Sequence, residues 1–469
     1  MDTLFVSKRI FVDGELIEGA ILVSDQGKIT DIFTKPGQVN SWIYQNGSGE
    51  IVDYGNLIIM PGLVDSHVHI NEPGRSEWEG FATATKAAAA GGFTTIADMP
   101  LNSIPPTTTV ENLKAKTSVA HGKVLVDVAF WGGLIPGNAS SLLPLVQNGV
   151  IGFKCFLCPS GVPEFPHVDE EQVEEALKIL EGTQSLLAFH AEVECPSHGS
   201  TVNEADNPRK YTTYLNSRPS EMEIKAIDMV TRLTAKYNVR THIVHLSSAQ
   251  SLPMINVARM NGARLTVETC HHYLTLSAEE VPDAHTEYKC APPIRSAENR
   301  QKLWDAIRSG EIDMVVSDHS PSTPGIKLLT YGKTRGDFMR AWGGISSVQF
   351  GLSLFWTHCQ SEGFTLADVH RLLCQEPAKL LGIDGYKGRI AIGYDADLCV
   401  WDPDASFSIT SDIIHFQNKA NPYMGRVVRG KVHATILRGQ VVFQDGERFT
   451  NPMGKLILKK TAKRAVQFQ

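Results

Sequence analysis

Two histidines separated by one residue, His67-Val68-His69, close an apolar run that begins Leu57-Ile58-Ile59-Met60-Pro61-Gly62-Leu63-Val64. Alternate side chains of a strand share a face, so both imidazoles can reach one metal ion. Imidazole ligates zinc and related ions, and a pair at the end of a buried strand leaves coordination positions free for water and substrate. A buried His beside a surface His would leave the same pattern, so the pair gains its meaning from other residues. Lys154 closes Gly149-Val150-Ile151-Gly152-Phe153-Lys154, His190 closes Leu186-Leu187-Ala188-Phe189-His190, His245 follows His242-Ile243-Val244, and Asp318 ends Ile312-Asp313-Met314-Val315-Val316-Ser317-Asp318. Any one of these is an ordinary polar strand end; together they point to one site. His242 and His245 are three positions apart, so only one can enter that site, and His245 is nearer the strand's carboxyl end. His319 should face away from Asp318. Lys154 cannot ligate as an ammonium, and on its own it reads as a structural lysine. Cys155-Phe156-Leu157-Cys158 has no second pair to complete a four-thiolate site and reads as ordinary thiols.

Positioning these side chains requires strands that end together. Candidate strands end near His69, Met99, Trp131, Phe156, His190, His245, Cys270 and Asp318, with helical segments between them. Ser76-Glu77-Trp78-Glu79 and Ser220-Glu221-Met222-Glu223 read as capping boxes, Asp169 to Gln172 gives a related start, and Gly91-Gly92 stops the Ala-rich helix. The pattern predicts a (β/α)8 barrel over residues 57–388, with its site at the strands' carboxyl ends; an open doubly wound sheet is the alternative. Residues 1–56 and 389–469 are β-rich and predict the two parts of a small β-sandwich domain, the second followed by a tail.

The chain has 469 residues, 42% hydrophobic and 20% charged, with a net charge of -7, which suits a large globular enzyme rather than a nucleic-acid binder. No signal-like or membrane-spanning apolar stretch is present, so the expected compartment is the cytoplasm, with an organelle open. The expected partner is a small-molecule substrate, with neither nucleic acid nor membrane involved. The eight cysteines should then be reduced thiols.

The stretches Met60-Pro61-Gly62-Leu63-Val64-Asp65-Ser66-His67-Val68-His69, Asn71-Glu72-Pro73-Gly74-Arg75-Ser76-Glu77-Trp78-Glu79-Gly80-Phe81, Gly152-Phe153-Lys154-Cys155-Phe156-Leu157 and Asp318-His319-Ser320-Pro321 resemble the amidohydrolase superfamily. Within its cyclic-amidase branch, they closely resemble the allantoinase family. It implies two divalent metal ions, usually zinc, with His67, His69 and Asp318 on one and His190 and His245 on the other. Carbon dioxide, as a carbamate on Lys154, would bridge them. A metal-bridging hydroxide would attack the ring carbonyl, and catalytic Asp318 would pass its proton to the leaving nitrogen. A homo-oligomer is also implied.

For the substrate, the resemblance implies the neutral ring of allantoin, opened to allantoate in purine catabolism. Dihydroorotases of this type carry an Arg two residues after the second His, where it can fork onto a carboxylate; here that residue is Asn71. Ser320 and Trp342 match places that line the pocket in allantoinases. Hydantoinase, dihydropyrimidinase or dihydroorotase activity on another cyclic amide stays open, as does a non-catalytic assembly protein of the same fold. Lys154→Ala should lose most ring-opening activity and recover part of it when a short carboxylic acid is added to the assay; full activity in the variant would refute the bridging role.

Overall fold

The computed structural model describes residues 2–35, 37–46, 49–195, 206–446 and 448–459. All of the expected strands form: Leu63–Val68, Phe93–Asp98, Asp127–Phe130, Phe153–Phe156, Leu186–His190, Arg240–Ile243, Leu265–Cys270 and Met314–Val316. They pair in parallel and in chain order, the third reaching the fourth through its continuation Gly132–Gly133. This is not the doubled-back order of a doubly wound sheet. The eighth strand meets the first through a parallel bridge between Val68 and His319. Asp65 reinforces that seam, accepting from the Ser317 amide at 3.1 Å and the His67 amide at 3.0 Å. Helices such as Phe81–Ala90, Glu170–Leu180, Ser220–Lys236 and Ala297–Ser309 lie between consecutive strands, and the strands are buried almost throughout.

The opening apolar run is not one strand. Ile58–Pro61 joins a different sheet and Leu63–Val68 starts the parallel array. Gly62 stands at the break, where a Cβ would lie 2.2 Å from Thr94 Oγ1 and so no side chain fits. Two of the expected capping boxes also fail. The Ala-rich helix begins at Phe81 behind Gly80; Glu72 accepts the Phe81 amide at 2.9 Å, while Glu79 is turned to His319. The helix Ser220–Lys236 follows Pro219 without a side-chain cap, because Glu223 instead accepts the Ser247 and Ser248 amides and pairs with Arg295. The box at Asp169 and Gln172 is present, and Gly91 closes the Ala-rich helix.

The two chain ends, together with Ile58–Pro61, form one hydrogen-bonded mixed sheet of nine strands among the described residues. Its halves join where Ile58–Pro61 runs antiparallel to Leu398–Ser408. Beyond it, Leu456–Ile457 pairs with the third parallel strand, so the terminal segment packs on the parallel array. Between the sheet and the array lies a buried charge cluster. Lys387 Nζ is 2.8 Å from Asp127, 2.5 Å from Asp397 and 3.3 Å from Asp395, and Arg438 Nη1 reaches both Asp127 oxygens. Burial alone would strip the Lys387 proton, but the three aspartates outweigh it and raise its pKa.

Removing one member of such a network leaves buried charge uncompensated, at a cost of about 3–5 kcal/mol. Lys387→Met should therefore lower the midpoint of thermal unfolding clearly, whereas an unchanged midpoint would show that the cluster does not hold the two sheets together.

Candidate metal centre

His67 and His69 leave the first parallel strand toward the same space, and Asp318 enters it from just beyond the eighth. His67 Nε2 lies 3.1 Å and His69 Nε2 3.4 Å from Asp318 Oδ1. On the other side, His190 Nδ1 is 3.0 Å from His245 Nε2, and the His67 and His245 ring centroids are 5.4 Å apart. Lys154 is 1% exposed, with its Nζ 5.5 Å from the Phe156 ring centroid and no hydrogen-bonding partner among the described residues. Asp318 and His245 have φ of +44° and +38°, a region that non-glycine residues seldom adopt and that surrounding contacts must enforce. For Asp318 the contacts come from its neighbour. His319 offers its carbonyl to the His69 amide at 2.8 Å, accepts the Ser347 amide on Nδ1 at 3.1 Å and donates from Nε2 to Glu79 at 3.0 Å.

Burial opposes charge on all of these groups, and their neighbours decide which of them resist. Asp318 stays well below the usual carboxylate range because of His67 and His69. His67 is disfavoured as a cation by burial, yet Asp318 and Glu268 raise it to about 9. Burial takes His69 down to about 4 and His245 well below its usual value. It also pushes Lys154 down to about 8, so much of this amine is neutral near that pH, the form that can add carbon dioxide.

The donors fit divalent metal. Ligands on one tetrahedral zinc, with bonds of about 2.0–2.1 Å, lie roughly 3.3 Å apart, close to the His67–Asp318, His69–Asp318 and His190–His245 separations. His67 Nε2, the ring nitrogen that faces Asp318, is buried without a hydrogen-bond partner. Carboxylates orient two of the rings in the manner of outer-sphere partners: Glu268 lies 2.5 Å from His67 Nδ1 and Glu192 2.7 Å from His190 Nε2. Two other groups have clustered donor atoms, Cys158 with His190 and Glu192, and Cys270 with His272 and Asp318. Burial pushes both thiols up, Cys158 to about 12, away from the thiolate that metal binding needs.

The sequence pattern of the amidohydrolase family matches residues 58–442. The chain belongs to the amidohydrolase family. Its metal dependence is that of the family. The chain is 46% identical to an allantoinase of Streptomyces avermitilis over 434 residues, covering 92% of this chain and 94% of that one. It is 51% identical to a mitochondrial allantoinase of Aquarana catesbeiana over 377 residues, or 80% and 75% of the two chains. Among solved structures, the L-hydantoinase (dihydropyrimidinase) of Arthrobacter aurescens matches with a TM-score of 0.89 at 28% identity, over 98% of this chain and all of that one.

In this amidohydrolase a cleft of about 360 Å³ opens onto His69, Lys154, His190, His245 and Asp318. Ser320 and Trp342 line it, as does the Pro159-Ser160-Gly161 turn; Trp342 packs on Trp78 with ring centroids 5.1 Å apart. Asn71 does not line it: the residue is 1% exposed, and its Nδ2 donates to the Pro321 carbonyl at 3.2 Å. Sequence reasoning missed Asn102, Glu192, Arg218, Glu268 and Lys289. Glu192 repeats the His-x-His spacing behind His190, and Glu268 is a lone charge inside the apolar strand Leu265–Cys270, so both carried a readable signal. Arg218, bonded to Glu192 at 2.5 Å, and Lys289 carried none. Among the described residues, no helix is long and apolar enough to cross a membrane.

Lys289 Nζ donates to the Ala341 carbonyl at 2.6 Å and the Met339 carbonyl at 3.3 Å, holding the segment that carries Trp342. Loss of a hydrogen bond from a charged group is worth about 1.5 kcal/mol, or roughly tenfold. Lys289→Met should raise KM by about that factor with little change in kcat; an unchanged KM would show that this segment does not shape the substrate site.

Proposed function

We propose that this protein hydrolyses the cyclic amide of allantoin to allantoate in purine catabolism. The observation that carries the reading is the convergence of His69, Lys154, His190, His245 and Asp318 on one cleft, with the buried His67 3.1 Å from Asp318, in a chain whose similar relatives are allantoinases. His67, His69 and Asp318 would hold one zinc ion, and His190 and His245 the other, with Lys154 as its carbamate shared between them. Two such cations make water acidic and polarise a ring carbonyl.

The protein's own groups do the rest. Asp318, kept ionised by its neighbours, takes the proton of the attacking water and returns it to the ring nitrogen as the carbon–nitrogen bond breaks. Glu268 and Glu192 hold the rings of His67 and His190. Ser320 and Trp342 flank the substrate, whereas Asn71, buried against the Pro321 carbonyl, does not touch it. We further read the parallel strands as a closed (β/α)8 barrel within residues 57–388, from which Ile58–Pro61 departs to join the sheet of the chain ends, and the two chain ends, 1–56 and 389–469, as a small β-sandwich domain. Homo-oligomer formation and a cytoplasmic or organellar location complete the reading.

The test is ring opening of allantoin by purified, zinc-supplied protein, beside dihydroorotate, hydantoin and dihydrouracil, with Asp318→Ala as control. Preference for allantoin, lost in the control, is expected; preference for another ring would move the substrate, and no turnover at all would favour the non-catalytic alternative. Dialysis against a chelator should abolish the activity and added zinc restore it, so activity that survives metal removal would refute the metal assignment.

A further inference from the structure

We infer that Glu268 is a positioning residue that sets how both halves of the metal centre present their ligands; the inference rests on the metal assignment above. Glu268 is 1% exposed and stands on the seventh parallel strand, which pairs with the sixth and the eighth. One of its oxygens lies 2.5 Å from His67 Nδ1 and accepts the His245 amide at 3.3 Å. The other meets His242 Nε2 at 3.0 Å and accepts from Ser66 Oγ at 3.4 Å. Four donors from two strands thus converge on one carboxylate.

An ionised carboxylate only accepts, so the proton of a neutral His67 sits on Nδ1 and the Nε2 lone pair is left for a cation. That Nε2 is the buried atom without a hydrogen-bond partner, 3.1 Å from Asp318. The bond to the His245 amide supports the left-handed turn, φ +38°, that swings this imidazole toward His190. His242 has its place in the same scheme. Its Nδ1 meets the Thr266 hydroxyl at 2.8 Å, it does not line the cleft, and its Nε2 holds the second Glu268 oxygen. Ligands bound for two different ions are therefore oriented by one side chain that touches neither substrate nor cleft.

Glutamine at this position would keep the shape and place an NH2 donor against the donors of His242 and Ser66. The experiment compares zinc-loaded wild type and Glu268→Gln for bound zinc per chain, for the rate of zinc release to a chelator, and for the visible spectrum after cobalt substitution. Outer partners of ligating histidines are worth about 10- to 100-fold in metal affinity. The variant should thus release zinc about 10- to 100-fold faster and show a changed cobalt spectrum, at wild-type circular dichroism. Equal release rates and spectra would overturn the inference.

Should Glu268→Gln not fold, His242→Ala decides, since it removes one donor and leaves the His67 contact in place. Release several-fold faster than wild type supports the inference, and an unchanged rate overturns it. A wild type that binds no metal overturns this inference and the metal assignment together. A wild type that binds two ions without opening allantoin overturns only the substrate, and the release rates still decide the role of Glu268.

Discussion

His67 is held between two buried carboxylates, Glu268 at 2.5 Å on one ring nitrogen and Asp318 at 3.1 Å on the other, and the site is organised around that constraint. Carboxylates are costly to bury unless positive charge or hydrogen bonds compensate them. Here the compensation comes from imidazoles, a lysine and backbone amides drawn from several strands. The same requirement accounts for the chemistry, because a pocket that gathers anionic and imidazole donors and leaves His67 Nε2 without a hydrogen-bond partner is suited to divalent cations.

Satisfying these groups fixes much of the surrounding architecture. Asp65 ties the amides of His67 and Ser317, so the first and eighth strands meet where His67 and Asp318 must meet. His319 locks the turn that carries Asp318, with Glu79 on its far nitrogen. Arg218 bonds to Glu192, which in turn bonds to His190, so a residue that lines the cleft is linked to a ligand position. Polar residues with unremarkable local surroundings in the sequence thus become the fasteners of the site.

The same competition explains the differences from local expectation. Ser76 to Glu79 and Ser220 to Glu223 have the spacing of capping boxes, but a capping bond is worth about 1 kcal/mol. Glu79 and Glu223 are instead needed by His319 and by Arg295 with two buried amides. A surface cap is easily forgone, whereas an unpaired buried group is not. Asp169 and Gln172, at an exposed helix start with no buried partner competing for them, keep their box.

By itself the sequence determined the strand order, the strand ends and the set of candidate ligands. Those follow from local rules: apolar runs bury themselves, a strand's alternation puts His67 and His69 on one face, and polar residues at run ends come to lie together when parallel strands end together. Only the tertiary structure decided which atoms face one another, that Gly62 divides the first apolar run between two sheets, that Asn71 turns to Pro321, and that Glu268 and Glu192 stand behind the histidines. Those outcomes depend on contacts such as Ser66 with Glu268 or Asp65 with Ser317, 202 and 252 residues apart in the chain, and no local pattern encodes the partner of a buried charge so distant in sequence.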